Sequence, residues 1–132
     1  MANEATLVFE THPAIPFTVA DGAGLEKGTL VQITDPNTVT ATAGDGNPFV
    51  GVTKNEKIAS DGRTTVAVYL GGVFKMTDSG AGCTVGDMLK VAGANTVAIS
   101  DEAGAGDRRE HVGMALETAA AGDTFLVLVG GK

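Results

Sequence analysis

The chain has 132 residues, a formal net charge of −7 and one cysteine. That length sets one domain with one modest core, and the acidic balance disfavours nucleic-acid backbones and anionic membrane surfaces as partners. A lone Cys83 excludes an intrachain disulfide and a multi-cysteine zinc site, and no apolar run approaches the length of a membrane span.

With no Trp, one Tyr and five Phe, the core must come mainly from Val, Leu, Ile and Ala, while nineteen Gly mark many tight turns. Such a composition suits short strands better than long helices. The start "MANEATLVFE" lacks a basic region followed by a long apolar one, so no signal peptide is expected. The single cysteine fits assembly in a reducing cytoplasm.

The first 24 residues stand apart. "ATLVFETHPAIPFTVADGAG" opens with an apolar alternation and then meets Pro13 and Pro16, which obstruct regular ladder pairing. Residues 1–24 are expected to form an extended arm, with 25–132 a single β-barrel domain. Leu7, Val8, Phe9, Ile15 and Phe17 are bulky apolar residues with no evident place in that domain. They are expected either to pack over the barrel's open end or to lie on a partner by strand addition.

From Gly28 onward the chain repeats itself. "GTLVQI" at Gly28–Ile33 answers "GDMLKV" at Gly86–Val91, and "NTV" at Asn37–Val39 recurs at Asn95–Val97. "VGVT" at Val50–Thr53 answers "VGMA" at Val112–Ala115. "TTVAVYLGG" at Thr64–Gly72 answers "DTFLVLVGG" at Asp123–Gly131. The order is the same in both halves, about 25–73 and 83–131, so the domain reads as a duplication.

Each half reads as four strands. "LVQI" and "LKV" alternate with period two, the turn-rich "DPNT" and "GANT" lead back through "VTAT" and "VAIS", and "FVGVT" and "HVGMAL" follow. The glycine in that third strand suggests a bulge or a close backbone approach. "TVAVYL" and "TFLVLV" end each half, and "VFKMTDSGAGCTVG" carries the sheet from one half to the next. The only helix candidates, "NEKIAS" and "DRREHV", are short, and nowhere does an apolar stripe hold helical period for three turns. The expected fold is all-β: a small barrel or sandwich of two pseudo-repeated hairpin units, with the extended arm and little helix.

Chemistry is sparse. His12 and His111 have no partner at metal-ligand spacing, and His111 in "DRREHV" reads as a surface residue. Cys83 in "GAGCTVG" has no neighbouring base to activate it. "GDGNP" and "GAGAGD" lack the Lys-Ser/Thr of a phosphate loop. Asp45 and Asn47 have calcium-like spacing without the distal Glu of a full loop. The charged run Asp101, Glu102, Asp107, Arg108, Arg109 and Glu110 reads as a solvated loop. Neither catalytic residues nor a cofactor or metal site is expected. A lipoyl- or biotinyl-like carrier or ligand-binding barrel is the competing reading; Lys75 is its one attachment candidate, although "GGVF" before it looks like strand.

The ordered pieces "GTLVQI", "VGVT", "ASDGRTTVAVYLGGVF", "VGDMLKV", "VGMA" and "AAAGDTFLVL", spanning about Gly22 to Leu128, resemble the capsid decoration, or cement, proteins of tailed bacteriophages. A fainter similarity reaches the lambda-type head decoration proteins. The resemblance implies a non-enzymatic virion protein made in the host cytoplasm. It would bind the major capsid protein on the outer surface of the head, commonly as a homotrimer that bridges neighbouring capsomers. Leu7, Val8, Phe9, Ile15 and Phe17 would then be capsid or protomer contacts, and removing residues 2–17 would leave a folded protein that binds heads poorly. The pattern carries no active-site residues, and it does not fix the lengths of the loops "DPNTVTATAGDGNP" and "ISDEAGAGDRRE".

Overall fold

Short runs rich in Val, Thr, Ile and Phe, broken by Gly and Asn turns, fold as strands throughout. A computed structural model describes residues 3–42, 48–100 and 109–130. In chain order it holds β1 (Thr6–Phe9), β2 (Ile15–Thr18), β3 (Leu30–Asp35), β4 (Thr38–Ala41), β5 (Phe49–Thr53), β6 (Thr65–Tyr69), β7 (Gly72–Asp78), β8 (Met88–Gly93), β9 (Thr96–Ile99), β10 (His111–Ala115) and β11 (Thr124–Val129). No helix occurs among the described residues. "NEKIAS" bends and forms a lone bridge from Lys57 to Leu25, and "HV" of the other candidate opens β10.

The strands close into two barrels. The first runs β2-β4-β3-β5-β6; the second runs β7-β11-β10-β8-β9 and closes through the pairing of β7 with β9. In both, the first strand lies antiparallel to the last and touches the third in parallel, as Thr18↔Thr38 and as Thr77↔Thr96. The duplication legible in the sequence is therefore a duplication of five-stranded closed barrels, two in number where one was expected. Each unit gains a strand at its start: β2 for the first, and β7, which had read as a connector, for the second. Closure removes most of the free sheet edges.

The segment 1–24, expected as an arm outside the repeat, instead supplies two paired strands. β1 lies on β7 with Thr6↔Lys75 and Leu7↔Phe74, and β2 closes the first barrel against β6 from Ile15↔Val68 to Thr18↔Thr65. The prolines permit this because of where their missing donors point. Thr18 N–H donates to Asn37 O (2.8 Å) on the β4 side, and Val19 N–H to Thr64 O (2.9 Å) on the β6 side. Backbone groups alternate along a strand, so Pro16 faces the same way as Thr18 and takes nothing from the β6 ladder.

Turn and bulge residues match their backbone roles. Asn37 and Asn95 take left-handed φ of 54° and 59° at the tips of the β3–β4 and β8–β9 hairpins, a conformation Asn tolerates better than most side chains. Gly51 in β5 and Gly113 in β10 lie where the ladders shift register. A Cβ at Gly51 would collide with the carbonyl oxygen of Tyr69, and one at Gly113 with that of Leu128. The expected close approach is present in both halves.

Strand alternation sends neighbouring residues into different cores. Val31, with Phe17, Val19, Leu25, Val39, Val66 and Val68, fills the first barrel. Leu30 beside it joins Phe49, Val52 and Tyr69 in facing the second unit, where they pack with Phe74, Met76, Leu89, Val91, Phe125 and Val127. Burying side chains of this kind contributes roughly 1.5–3 kcal/mol each. Tyr69 and Phe74 meet edge to face, 5.8 Å apart at 62°. Leu30 N–H donates to Asn95 Oδ1 at 3.0 Å, and Phe49 N–H to Arg109 O at 2.8 Å. Together these contacts hold the units as one body.

Candidate interaction surface

Aliphatic side chains that the barrels do not bury gather between them. A half-open groove of about 1050 Å³ runs along the junction, walled by Ile15, Ile33, Leu70, Met88, Met114 and Leu128 with Phe17 and Phe49. Ile15, Ile33, Leu70 and Leu128 each leave close to two-fifths of their surface in solvent. Among the described residues that line it there is no Asp, Glu, Lys or Arg; its polar groups are Thr11, His12 and His111 beside backbone. In a chain with 16 acidic residues this is an uncharged strip.

Beside the groove, β1 carries the most exposed large apolar side chain, Phe9 at 66%, with Val8 at 41%. Phe9 O packs close to Gly72, where a Cβ would sit 3.0 Å from it. Of the five residues singled out from the sequence, Val8 and Phe9 are free for a partner and Ile15 lines the groove. Leu7 is half-buried against the second core, and Phe17, 8% exposed, belongs to the first. What sets the last two apart is strand pairing, which composition did not reveal.

The remaining candidates scatter. His12 is exposed and lies 3.0 Å from Thr11 Oγ1. His111, read from sequence as a surface residue, is buried at 9% at the start of β10, where it pairs with Lys90 of β8. Glu110, taken with the solvated loop, is buried too and lies 3.9 Å from Lys90 Nζ; Arg109 gives its carbonyl to Phe49. Asp45, Asn47, Asp101, Glu102, Asp107 and Arg108 lie outside the described residues. Lys75 sits in mid-strand, paired with Thr6 on one side and Leu126 on the other, whereas a carrier lysine needs a hairpin tip. Cys83 is buried, and burial pushes its thiol pKa up, the opposite of an activated nucleophile. No group of three or more His, Cys, Asp or Glu side chains comes together as a metal site among the described residues.

Two further buried charges escaped sequence reasoning. Lys57, its side chain fully buried, donates to Asp21 O and Ile58 O (both 2.8 Å) and pairs with Asp61 Oδ1 at 2.9 Å and Asp21 Oδ1 at 3.4 Å. Asp78 Oδ2 accepts from the amides of Gly80 (2.8 Å), Gly82 (2.8 Å) and Gly122 (3.1 Å). Burial pushes the Asp78 carboxyl up, but these donors outweigh it and hold its pKa below the usual carboxylate value. Each charge ties the loop before the last strand of its barrel to the end of the first strand or the turn after it. The signal was present for both: Lys57 stands where the other half has Ala119, the two bridging Leu25 and Cys83 respectively, and Asp78 precedes the glycines of "DSGAG".

The arrangement offers apolar contact on rigid supports. A family model described as phage cement protein matches residues 9–131. No curated protein matches the chain.

Proposed function

We propose a head-stapling role on the premise that this chain belongs to the phage cement protein family. Membership brings a structural, capsid-binding role and a place in the virion, and the family is not one of enzymes. Beyond that, the protein binds the outer surface of the head through its major capsid protein, joins neighbouring capsomers, and acts there as a homotrimer assembled after synthesis in the host cytoplasm.

The observation that carries this reading is the pairing of two closed, mutually packed barrels with exposed apolar side chains gathered on strand β1 and along the junction groove, Ile58, Val85 and Ile99 being exposed elsewhere. A staple must transmit force without deforming, and close-packed cores resist deformation. It must also offer apolar area for partners, at roughly 25 cal/mol per Å² buried. β1 is the edge strand of its sheet, so a capsid segment adds to it by strand pairing while Val8 contacts the same partner. Several copies sharing one trimer raise avidity beyond the affinity of one site. Acidic charge on the outer face keeps decorated heads apart.

The test is a head-binding assay with Val8→Asp. The variant is expected to fold as wild type does and to bind expanded heads at least tenfold more weakly. Unchanged binding removes β1 from the capsid contact.

A further inference from the structure

We propose that Phe9 of one copy seats in the junction groove of a second copy, and that this single head-to-tail contact, repeated, closes the trimer. The inference rests on the trimer reading above and names its interface.

Charge argues for a second copy as occupant. Any copy brings the same net charge of −7, and like charges set opposite one another across an interface cost several kcal/mol. Two such molecules approach most easily where one face carries no carboxylate, since Glu10, exposed beside Phe9, then meets no like charge. The groove is such a place among the described residues, with no acidic or basic side chain in its lining. A basic partner would instead be drawn to the acidic remainder of the surface.

Geometry argues for Phe9 as the inserted group. It is the most exposed large hydrophobic residue, at 66%. Thr11, His12 and Pro13, which follow it closely, form one wall of the groove, yet the Phe9 ring is not among the residues lining the groove of its own copy. The backbone beneath is fixed by the β1–β7 ladder and by Gly72, so a partner meets an aromatic side chain already held in place. An aromatic anchor entering an apolar pocket is the usual centre of a protein interface. At about 1050 Å³ the groove admits the Phe9 ring. Anchor and pocket are different patches of one chain, so the contact is heterologous and propagates by rotation into a ring.

The experiment is native mass measurement on the full chain, wild type and two variants, with circular dichroism to confirm folding. Wild type is expected to be trimeric. Phe9→Glu, which spoils the anchor, and Leu128→Glu, which spoils the groove, are each expected to be monomeric. Mixed in equal amounts they are expected to form a heterodimer and nothing larger, because the intact Phe9 of one enters the intact groove of the other. Leu70→Glu replaces Leu128→Glu should the latter fail to fold. A trimeric wild type whose variants remain trimeric overturns this inference and leaves the trimer reading standing. Monomeric variants that do not combine overturn it as well, since Phe9 and the groove then do not meet one another. A monomeric wild type defeats the trimer reading itself. Variants that stay trimeric but lose head binding assign the groove to the capsid and overturn the proposal.

Discussion

Phe17 and Met76 occupy the same place in the two barrels. Phe17 faces Val66 across the ladder to the last strand of its unit, and Met76 faces Phe125 likewise; both are buried. The N-terminal segment is thus part of the duplication, and where it can be cut follows from that.

Deletion of residues 2–9 removes β1 and leaves both rings of strands closed. The shortened protein is expected to unfold cooperatively at a lower Tm and to bind heads poorly. Deletion of residues 2–17 also removes most of β2 and the Phe17 side chain, so it is expected to lose the cooperative transition altogether. Thermal denaturation followed by circular dichroism separates the two. A cooperative transition in the longer deletion contradicts the placement of β2 in the barrel.

Gly51 and Gly113 are expected to be intolerant of the smallest side chain. Gly51→Ala and Gly113→Ala drive a Cβ into a backbone carbonyl, and strain of that kind costs roughly 1–3 kcal/mol or more. Gly22→Ala, with nothing within 4 Å of the new atom, is expected to stay within about 0.5 kcal/mol of wild type. Urea midpoints measure all three. Equal effects at all three positions contradict the close approach of β5 to β6 and of β10 to β11.

The strands show how far the sequence could be read. Period-two runs located β3 to β6 and β8 to β11 because alternating burial is written directly in residue type. The missing strand of each unit was hidden by chemistry that usually breaks strands. Pro16 suggested an arm, yet its absent N–H points away from the one full ladder that β2 makes. The groove was hidden for a different reason. Ile33, Leu70 and Leu128 read as ordinary strand residues, and only packing two barrels side by side lines them up along one seam. Lys57 was invisible as a buried charge because its partners, Asp21 and Asp61, come from separate loops.

Asp78 makes part of the stability depend on pH. Its folded pKa lies below the usual carboxylate value, so its contribution is complete above the unfolded value near 3.9 and is lost as pH falls through the lower folded value. Urea midpoints measured from pH 7 down to pH 2 are expected to fall below about pH 4, and Asp78→Asn is expected to flatten that fall. At neutral pH the variant is expected to cost on the order of 2 kcal/mol through weakened hydrogen bonds to the three amides. Identical pH profiles contradict the role given to Asp78.

Lys57→Met keeps the length of the side chain and removes its charge, leaving the carbonyls of Asp21 and Ile58 without their donor and Asp61 with Arg63 alone. The variant is expected to lower Tm and to expose the loop around Ile58 to proteolysis, while Lys54→Met, on an exposed neighbour, changes neither. Limited digestion read by mass spectrometry checks this. Resistance equal to that of wild type contradicts the clamp.

The central claim, a rigid protein whose work is to bind a phage head, is tested most directly by incubating it with expanded heads that lack it and imaging the particles by cryo-electron microscopy. The account predicts added density on the outer surface at positions shared by neighbouring capsomers, shaped as paired barrels with strand β1 against the capsid. Heads that stay bare at saturating protein, or density confined to the interior of the shell, contradict it.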